Sequence, residues 1–513
     1  MKVALYGPPA AGKTSIGCAL AVRLGVPFVD TDKVVEQRSG MTITEIFALR
    51  GEAGFRTIEA EVCSELAAAQ GGIVMALGGG SLLDPWTRSV VERRCAVVLV
   101  DARFEDLAQR LGQNGSRPLV AGPDPERRLE DLLRARRAHY DSFPARLETS
   151  RQTVEQAAAA AAALLCRRSL RVRRPECEQT IELGYGVLEN LQDMLSARRI
   201  GGPLAIVTDE NVNRSLGSRL PRSIPPVVIP PGEDQKTLGS VERVCDELAT
   251  AGLDRGGTLI AVGGGVVGDL VGFAASVFMR GISWVDVPTS LLAMVDASIG
   301  GKTAVDLPAG KNLAGRFHPP ALVVSDPLAL ATLPERERRS GLAEVVKHAV
   351  IGDPALFARL EAGTSFGSLP DIAAAVSVKV RIVEWDPLEQ DTRATLNFGH
   401  TIGHALETAS RYALSHGEAV AIGMVAEARL AERVGVAQLG LAERIRHVLE
   451  VHGLPTVYTG LDAASLRALM RVDKKKAGNT LRFALPAHIG RVVHGIEVDE
   501  GLLAETLTGL AAG

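Results

Sequence analysis

The sequence predicts an α/β protein built as a phosphate-loop domain followed by a larger two-lobed unit. Three observations lead there. A short apolar run, Lys2 to Tyr6, enters a glycine loop and then a helical pattern from Ser15 to Leu24. Apolar runs alternate with helical patterns in two series, the second reaching another glycine turn at Gly263 to Asp269. Past Leu333 turn signals thin out and long helical patterns take over. Alternation of this kind builds parallel sheets with helices on both faces.

With 513 residues the chain exceeds what one hydrophobic core holds. Apolar residues make up 46% and charged residues 23%, the balance of a folded globular chain. A formal charge of -3 leaves no global basic field, so neither nucleic acid nor an anionic membrane is indicated. Arg127–Arg137 and Arg167–Arg174 are locally basic, either for phosphate or as solvated faces. Cys18, Cys63, Cys95, Cys166, Cys177 and Cys245 are scattered without a CxxC pair. That argues against a disulfide framework or thiolate zinc and fits a reducing cytoplasm. No apolar run is long enough to span a bilayer, and the N-terminus meets its glycine loop too early for a signal peptide.

In the front unit, Gly7-Pro8-Pro9-Ala10-Ala11-Gly12-Lys13-Thr14 matches the phosphate loop GxxxxGK[ST] between strand and helix. Its N–H groups suit phosphate oxygens, Lys13 the outer phosphates, and Thr14 a Mg²⁺ ion. The next strand, Val26 to Val29, ends in Asp30-Thr31-Asp32. These carboxylates face the loop's crevice in a doubly wound sheet; a plain helix cap is the competing use of either one. A third strand, Ile73 to Leu77, enters Gly78-Gly79-Gly80, where a ligand or backbone can come close. Arg56, Arg117 on an expected mobile loop, and Arg136 in a helix suit carboxylate and phosphate partners. Val154 to Arg168, with seven consecutive alanines, closes the unit as a helix running into a short joint near Arg167.

The ordered pieces GPPAAGKT, FVDTDK, GFRTIE, LGGG, RPL and RRAHY resemble shikimate kinase over about residues 1 to 165. The resemblance implies a P-loop kinase domain that phosphorylates the 3-hydroxyl of shikimate with ATP and Mg²⁺. Asp32, Arg56, Gly79 and Arg136 then bind shikimate, Asp32 orienting or deprotonating the attacking hydroxyl. Lys13 and Arg117 stabilise the transferring phosphoryl group, Arg117 from a closing lid. Asp30 joins Thr14 at Mg²⁺, and Gly7, Ala10, Ala11, Gly12, Lys13, Thr14 and Ser15 contact the nucleotide. Ala10 stands where the family usually has glycine, so a left-handed backbone there carries a cost.

Behind the joint a new αβ pattern begins at Thr180 to Glu182. Leu204 to Val207 ends in Asp209-Glu210-Asn211, Val227 to Ile229 in PPGEDQKT, and Thr258 to Val262 in Gly263-Gly264-Gly265-Val266-Val267-Gly268-Asp269. The last turn fits GxGxxG and suits a dinucleotide pyrophosphate, though such turns also serve helix–strand packing. The acidic residue usual after the next strand is poorly supplied, Asp286 being the nearest. Asp296, Lys302, Lys311 and Asn312 form a dense polar set among glycines.

In the helical part, Glu344, Lys347 and His348 fall at helical offsets. Lys379, Arg393 and Asn397 lead into LNFGHTIGHALETASRYALSHGEAV, which holds His400, His404 and His416 of only ten histidines. His400 and His404, at i and i+4, share a helix face and read as two ligands of one metal, with Glu344 a candidate oxygen ligand. His416, in SHGE, is expected on a loop that folds back. Asp473-Lys474-Lys475-Lys476 is either a solvated turn or a phosphate contact.

The pieces PGEDQKT, GGGVVGD, FMRG, VDASIGGKT, KNLAGRF, GLAEVVKH, LNFGHTIGHA, SHGEAV and DKK resemble 3-dehydroquinate synthase over about residues 175 to 500. The resemblance implies three parts: residues 1–167 as the kinase, 168–332 as an NAD-binding αβ lobe, and 333–513 as a helical metal and substrate lobe. It implies a homodimer, with Arg280 reaching the neighbouring subunit's substrate. The reaction implied converts 3-deoxy-D-arabino-heptulosonate 7-phosphate to 3-dehydroquinate with recycled NAD⁺ and Zn²⁺ or Co²⁺. A ring hydroxyl is oxidised, the neighbouring C–H becomes acidic, phosphate leaves, the hydride returns, and the opened ring closes by an aldol step.

The implied metal ligands are Glu344, His400 and His416, which reassigns His404 from ligand to substrate contact. Asp296, Lys302, Lys347, Asn397 and His404 carry the chemistry, while Asn312, Lys379, Arg393 and Lys475 bind substrate. The cofactor residues are Asp209, Asn211, Glu233, Lys236, Gly265, Val266, Val267, Gly268, Asp269, Thr289, Ser290, Lys302, Lys311 and Thr332. Ala297 replaces the family's usual second serine, the EQDTR run lacks a usual glycine, and Arg316 to Pro319 fits loosely; no implied ligand is lost.

A metal-dependent NAD alcohol dehydrogenase of the glycerol dehydrogenase kind is the rival for the rear unit. It has no need of Lys347, Lys379, Arg393 and Lys475. For the front unit the rivals are another small-molecule kinase, or an inactive kinase domain kept for docking. The last predicts loss of Lys13, Asp32 or Arg136, and all three are present. The two implied steps are not consecutive, so direct transfer of product between the sites is not expected.

Overall fold

The front sheet of the computed structural model forms from the short apolar runs. Strands β1 (Lys2–Tyr6), β2 (Phe28–Asp30), β3 (Ile73–Ala76), β4 (Ala96–Asp101) and β5 (Arg146–Glu148) lie in the order β2-β3-β1-β4-β5. Every pairing is parallel. The structure describes residues 1–113, 124–173, 178–221, 223–458, 463–476 and 481–511, without the side chains of 113, 471–476 and 509–511. Arg117 and the side chain of Lys475 therefore lie outside the described residues. The helix Lys13–Leu24 and the alanine-rich helix Val154–Leu165 pack together over β1 and β4, with Leu20, Ala157 and Ala161 buried. Small side chains let that second helix lie close, and its Thr153–Gln156 capping box fixes where it starts.

The expected joint is only two residues long. The helix ends at Leu165, and β6 (Arg168–Arg173) already belongs to the rear sheet, pairing antiparallel with β7 (Glu178–Leu183). The basic run thus forms an edge strand, where charged side chains discourage further pairing. Arg167 and Arg198 both pair with the buried Glu182, and Tyr185 packs against the front core and the helical core alike. The two halves meet through packed side chains.

The rear sheet continues through β8 (Leu204–Asp209), β9 (Pro226–Ile229), β10 (Thr258–Gly263), β11 (Ser283–Pro288) and β14 (Leu322–Ser325). Its order is β6-β7-β14-β11-β10-β8-β9, parallel from β7 onward. Strand β10 is buried along its whole length, as its unbroken apolar run requires. An antiparallel hairpin, β12 (Lys302–Leu307) with β13 (Gly310–Phe317), brings Lys311 and Asn312 over the glycine turn. Its glycines hid it in the sequence, where only a polar set was legible.

The helical lobe runs from Glu335, close to the expected change at Leu333. Two features correct the expectation there. The DKKK stretch lies at the end of the helix Ala463–Lys476 rather than in a turn, and β15 (Arg482–His488) with β16 (Arg491–Glu497) forms an unforeseen hairpin. At the centre, helices His400–Ala409 and His416–Arg433 cross backbone to backbone. A Cβ on Gly423 would stand 2.0 Å from the Gly399 carbonyl oxygen. Beside that crossing the fully buried Glu427 accepts hydrogen bonds from the N–H groups of Gly399 (2.6 Å) and Ile402 (3.1 Å). It caps the helix that begins with His400. Glu427→Ala is therefore expected to destabilise the rear unit by about 2–3 kcal/mol, read as a lower urea midpoint. An unchanged midpoint would reject that role.

Candidate active sites

In the front unit, the loop after β1 curls round a cavity of about 350 Å³ lined by Ala10 to Ile16, Arg110 and Thr149. Lys13 is 6% exposed and its Nζ donates to the carbonyls of Gly7 and Pro8, each at 2.8 Å. Thr14 Oγ1 donates to Asp30 Oδ2 at 2.7 Å, the pairing expected of two groups sharing a Mg²⁺ shell. Asp30 also caps the following helix, accepting from the Asp32 N–H at 3.1 Å. Of the two uses weighed from sequence, Asp30 makes the helix cap. Ala10 adopts φ 63°, the left-handed backbone for which alanine carries a cost.

Asp32, Arg56, Gly79 and Arg136 converge beside that loop. The Gly79 carbonyl accepts from Arg136 Nη1 (2.9 Å), Tyr140 Oη (2.7 Å) and Tyr6 Oη (3.3 Å). A Cβ on Gly80 would stand 2.5 Å from Arg56 Nη2. One residue went unread in the sequence. Glu59, 1% exposed, accepts from Arg56 Nη1 and from Ser81 Oγ, both at 2.6 Å, and so aims the Arg56 guanidinium. Its i, i+3 offset from Arg56 was the available signal.

In the rear unit, Gly264 caps the helix Gly265–Val277 with no side-chain cap hydrogen bond, and the first turn carries no acidic residue. Thr289 and Ser290 flank this turn, Thr289 N donating to Gly263 O at 2.8 Å. A glycine turn whose N–H groups stand clear of carboxylate caps fits a pyrophosphate. Lys236 Nζ donates to Asp269 Oδ2 and to Asn312 Oδ1, both at 2.6 Å. Asp286 lies in mid-strand, 3% exposed, with Oδ2 only 3.3 Å from where a Gly268 Cβ would stand. Burial pushes its carboxyl up to about 8. It packs under the glycine helix, so the expected ribose partner is not found at Asp286. Asp209 caps the helix Glu210–Leu216, Thr332 bonds the Ala329 carbonyl, and Arg280 stands exposed on a turn with φ 69°. None of these three joins the cluster described next.

That cluster is centred on Glu344, which is fully buried. His400 Nε2 lies 3.5 Å and His416 Nε2 3.3 Å from its Oε1, and Lys347 pairs with Oε2. Burial alone would raise the Glu344 carboxyl; Lys347 and the histidines hold it well below the usual range. Asp296, in a single π turn (Ala293–Ala297), accepts from Lys379 Nζ at 2.6 Å and lies 3.3 Å from His348 Nε2. Burial pulls the Lys379 ammonium down to about 8 although Asp296 opposes the shift. Arg393, 1% exposed, bonds the Pro387 carbonyl at 2.6 Å, and Lys302 and Asn397 both reach Glu389.

His416 is not on a loop. It is the first residue of the helix His416–Arg433, because Ser415 and Glu418 form a capping box, so SHGE is a start signal. His404 shares a face with His400, as the spacing required, with ring centroids 5.2 Å apart. The lone carboxylate of Glu344 meets His400 and His416, their ligand atoms all within 4.8 Å of one another. His404 groups instead with Glu407 and His416. One carboxylate and two imidazoles fit Zn²⁺ or Co²⁺ with a position left for substrate, and the Phe398 carbonyl, 3.1 Å from Nδ1, fixes the His400 ring.

Fold and sites define the class: a phosphate-loop kinase joined to a two-lobed enzyme with a glycine-turn lobe and a metal-type helical lobe. Family models give the particulars. Shikimate kinase matches residues 9–165, 3-dehydroquinate synthase N-terminal residues 226–340, and 3-dehydroquinate synthase C-terminal residues 341–476. The 3-dehydroquinate synthase of Nostoc punctiforme is 40% identical over 359 residues, 66% of this chain and 99% of the relative. That of a Synechococcus strain is 44% identical over 331 residues, 61% of this chain and 90% of the relative. Among solved structures, the 2-epi-5-epi-valiolone synthase ValA from Streptomyces hygroscopicus, with NAD⁺ and Zn²⁺ bound, is 29% identical. It superposes with a TM-score of 0.59, covering 67% of this chain and 99% of its own. The chain belongs to the 3-dehydroquinate synthase family and carries a shikimate kinase domain ahead of it. It is a bifunctional enzyme of the shikimate pathway. Among the described residues, no helix is long and apolar enough to cross a membrane.

Proposed function

We propose that the front unit phosphorylates shikimate with ATP, and that the rear unit converts 3-deoxy-D-arabino-heptulosonate 7-phosphate to 3-dehydroquinate and phosphate, each in its own site. The observation that carries the second half is one buried cluster in which Glu344, His400 and His416 stand beside Asp296, Lys347 and Lys379. A dehydrogenase of simple alcohols has no use for the cations. We divide the chain at 167/168 and 332/333.

In the front unit Lys13 exchanges its two loop carbonyls for the nucleotide's outer phosphates, and Thr14 and Asp30 hold Mg²⁺. Asp32 orients the attacking hydroxyl, Arg56 and Arg136 grip the shikimate carboxylate beside Gly79, and Arg117 stabilises the transferring phosphoryl group. Because Glu59 aims Arg56, Glu59→Ala is expected to raise KM for shikimate about tenfold, with KM for ATP unchanged. A rise confined to ATP would reject the assignment.

In the rear unit, Glu344, His400 and His416 would hold Zn²⁺ or Co²⁺, which would supply Lewis acidity toward the substrate hydroxyl, and the glycine turn would hold NAD⁺, which would supply a hydride acceptor and donor. The turn Gly265-Val266-Val267-Gly268 receives the pyrophosphate. Asp209, Asn211, Glu233, Lys236, Asp269, Thr289, Ser290, Lys302, Lys311 and Thr332 complete the cofactor site. Lys347, Lys379, Arg393 and Lys475 bind the substrate's anionic groups, and Asn312 and Asn397 orient its hydroxyls. Asp296 and His404 hold or move protons.

Lys379 must be protonated to bind an anion, and its pKa is pulled down to about 8. Its charge is present below that pH and lost above it. Synthase kcat/KM is therefore expected to fall about tenfold per unit above pH 8, with the limb displaced upward in Lys379→Arg. A flat profile from pH 7 to about 9.5 would reject this.

A homodimer through the rear unit, with Arg280 serving the neighbouring site, finds support in the exposed Val277, Met279, Leu313 and Phe317. Val277 ends the glycine helix, Met279 follows it, and Leu313 and Phe317 lie on β13. Among the described residues the cysteines are scattered and free, which supports a cytoplasmic setting. Two assays on the purified chain test the whole proposal. One supplies ATP and shikimate, the other the heptulosonate phosphate with NAD⁺ and Zn²⁺. The second should release phosphate without net NADH, and silence in either would sink that half.

A further inference from the structure

We infer that Glu407 is a positioning residue for the metal centre, tying the His416 ring to the cofactor-side hairpin through Lys311. The inference rests on the reading above that Glu344, His400 and His416 hold a divalent metal. Glu407 lies in the helix His400–Ala409 and is 7% exposed. Its Oε1 accepts from Lys311 Nζ at 2.7 Å, and its Oε2 lies 3.5 Å from His416 Nδ1. The opposite ring nitrogen, Nε2, faces Glu344 at 3.3 Å. One imidazole is thus bracketed by two carboxylates, one on the metal side and one on the far side.

A ligating imidazole needs a lone pair on one nitrogen and keeps its proton on the other. A carboxylate at the far nitrogen selects that tautomer, stops the ring turning and raises the basicity of the ligating nitrogen. His400 meets the same need with a neutral acceptor, the Phe398 carbonyl. Only His416 has a charged anchor, and that anchor is shared. Lys311 belongs to β13 in the αβ lobe, lies 3.5 Å from Glu233, and stands 4.4 Å from the centroid of the Tyr412 ring. A continuous run of contacts, Glu233–Lys311–Glu407–His416–Glu344, therefore crosses from one lobe to the other. Glu407 sets where the metal stands relative to the lobe that carries the glycine turn.

The competing role for Glu407 is direct ligation of a second ion with His404 and His416, whose ligand atoms also lie within 4.8 Å. The Lys311 ammonium on Glu407 opposes this, because a divalent cation there would meet a like charge at contact distance.

The test uses the full chain, stripped by a chelator and titrated with Zn²⁺ and Co²⁺. Glu407→Ala is expected to bind either ion 10- to 100-fold more weakly than the wild type in chelator competition. Its Co²⁺ visible spectrum should change. Glu407→Gln, whose amide oxygen still accepts from Nδ1–H without the charge, should lose about tenfold. The far-UV circular dichroism and the urea midpoint of the rear unit in the same molecules report whether that unit is folded. If the wild type fails to bind one ion per chain, or His416→Ala binds as tightly, the underlying metal reading is wrong. If His416→Ala loses the metal while Glu407→Ala stays within twofold of wild type, this inference alone is overturned. Should Glu407→Ala not fold, Glu407→Gln decides by the same twofold criterion. Two ions per chain in the wild type and one in Glu407→Ala would make Glu407 a ligand and also overturn it.

Discussion

Replacing His400 by alanine is expected to lower synthase turnover by about 10³-fold or more and to leave kinase turnover unchanged. The ring supplies one of the two imidazoles proposed as metal ligands beside the buried Glu344. Without it, a divalent ion keeps two protein ligands, too few for a held tetrahedral site. Lewis-acid stabilisation of several kcal/mol is then lost, and at about 1.36 kcal/mol per decade this gives the factor stated. Lys347 already pairs with Glu344 and would neutralise it, so the fold survives the loss. The kinase rests on its own core of Leu5, Leu20, Val98 and Ala157, apart from the one around Val346 and Val420. Paired rate and metal-content measurements check the result. Equal loss of both activities would refute independent sites, and retention of a tenth of the synthase rate would refute the ligand assignment.

Lys13→Ala gives the mirror result. Kinase kcat is expected to fall by about 10²–10³-fold with synthase kinetics unaltered. The ammonium is almost wholly buried in the loop and donates to two neutral carbonyls, which keeps its charge beside the loop's N–H groups. Lys13→Arg should not rescue it, because a planar guanidinium cannot occupy a pocket shaped by two converging carbonyls. Full rescue by arginine would mean that only the charge matters there.

The phosphate loop, the paired aspartates after β2 and the glycine turn after β10 were legible because they are local. Each is a strand, a short loop and a helix within a few residues, and the backbone chemistry that binds phosphate lies inside that stretch. The His400–His404 pair was legible for the same reason, since helical spacing fixes a shared face. His416 was not: SHGE reads equally as a stop or a start until Ser415 and Glu418 are seen closing a capping box. Glu59 and Glu407 escaped notice as ordinary helical glutamates. Their partners, Ser81 and His416, are supplied by other elements, so only Arg56–Glu59 and His404–Glu407 spacing hinted at them.

The sequence alone determined the two-unit organisation, the phosphate and glycine turns, the residue types of the metal centre and the families they resemble. These depend on periodicity and on motifs that fold locally. Spacing alone could not decide which histidine meets Glu344, since that carboxylate lies on a helix more than fifty positions away; the resemblance implied His400 and His416, and the tertiary structure brings both beside it. It also decided that the joint is a paired strand without slack, because an edge strand is defined by its neighbour. It made Glu407 a bridge between lobes, because Lys311 reaches it from a hairpin whose pairing the glycines concealed.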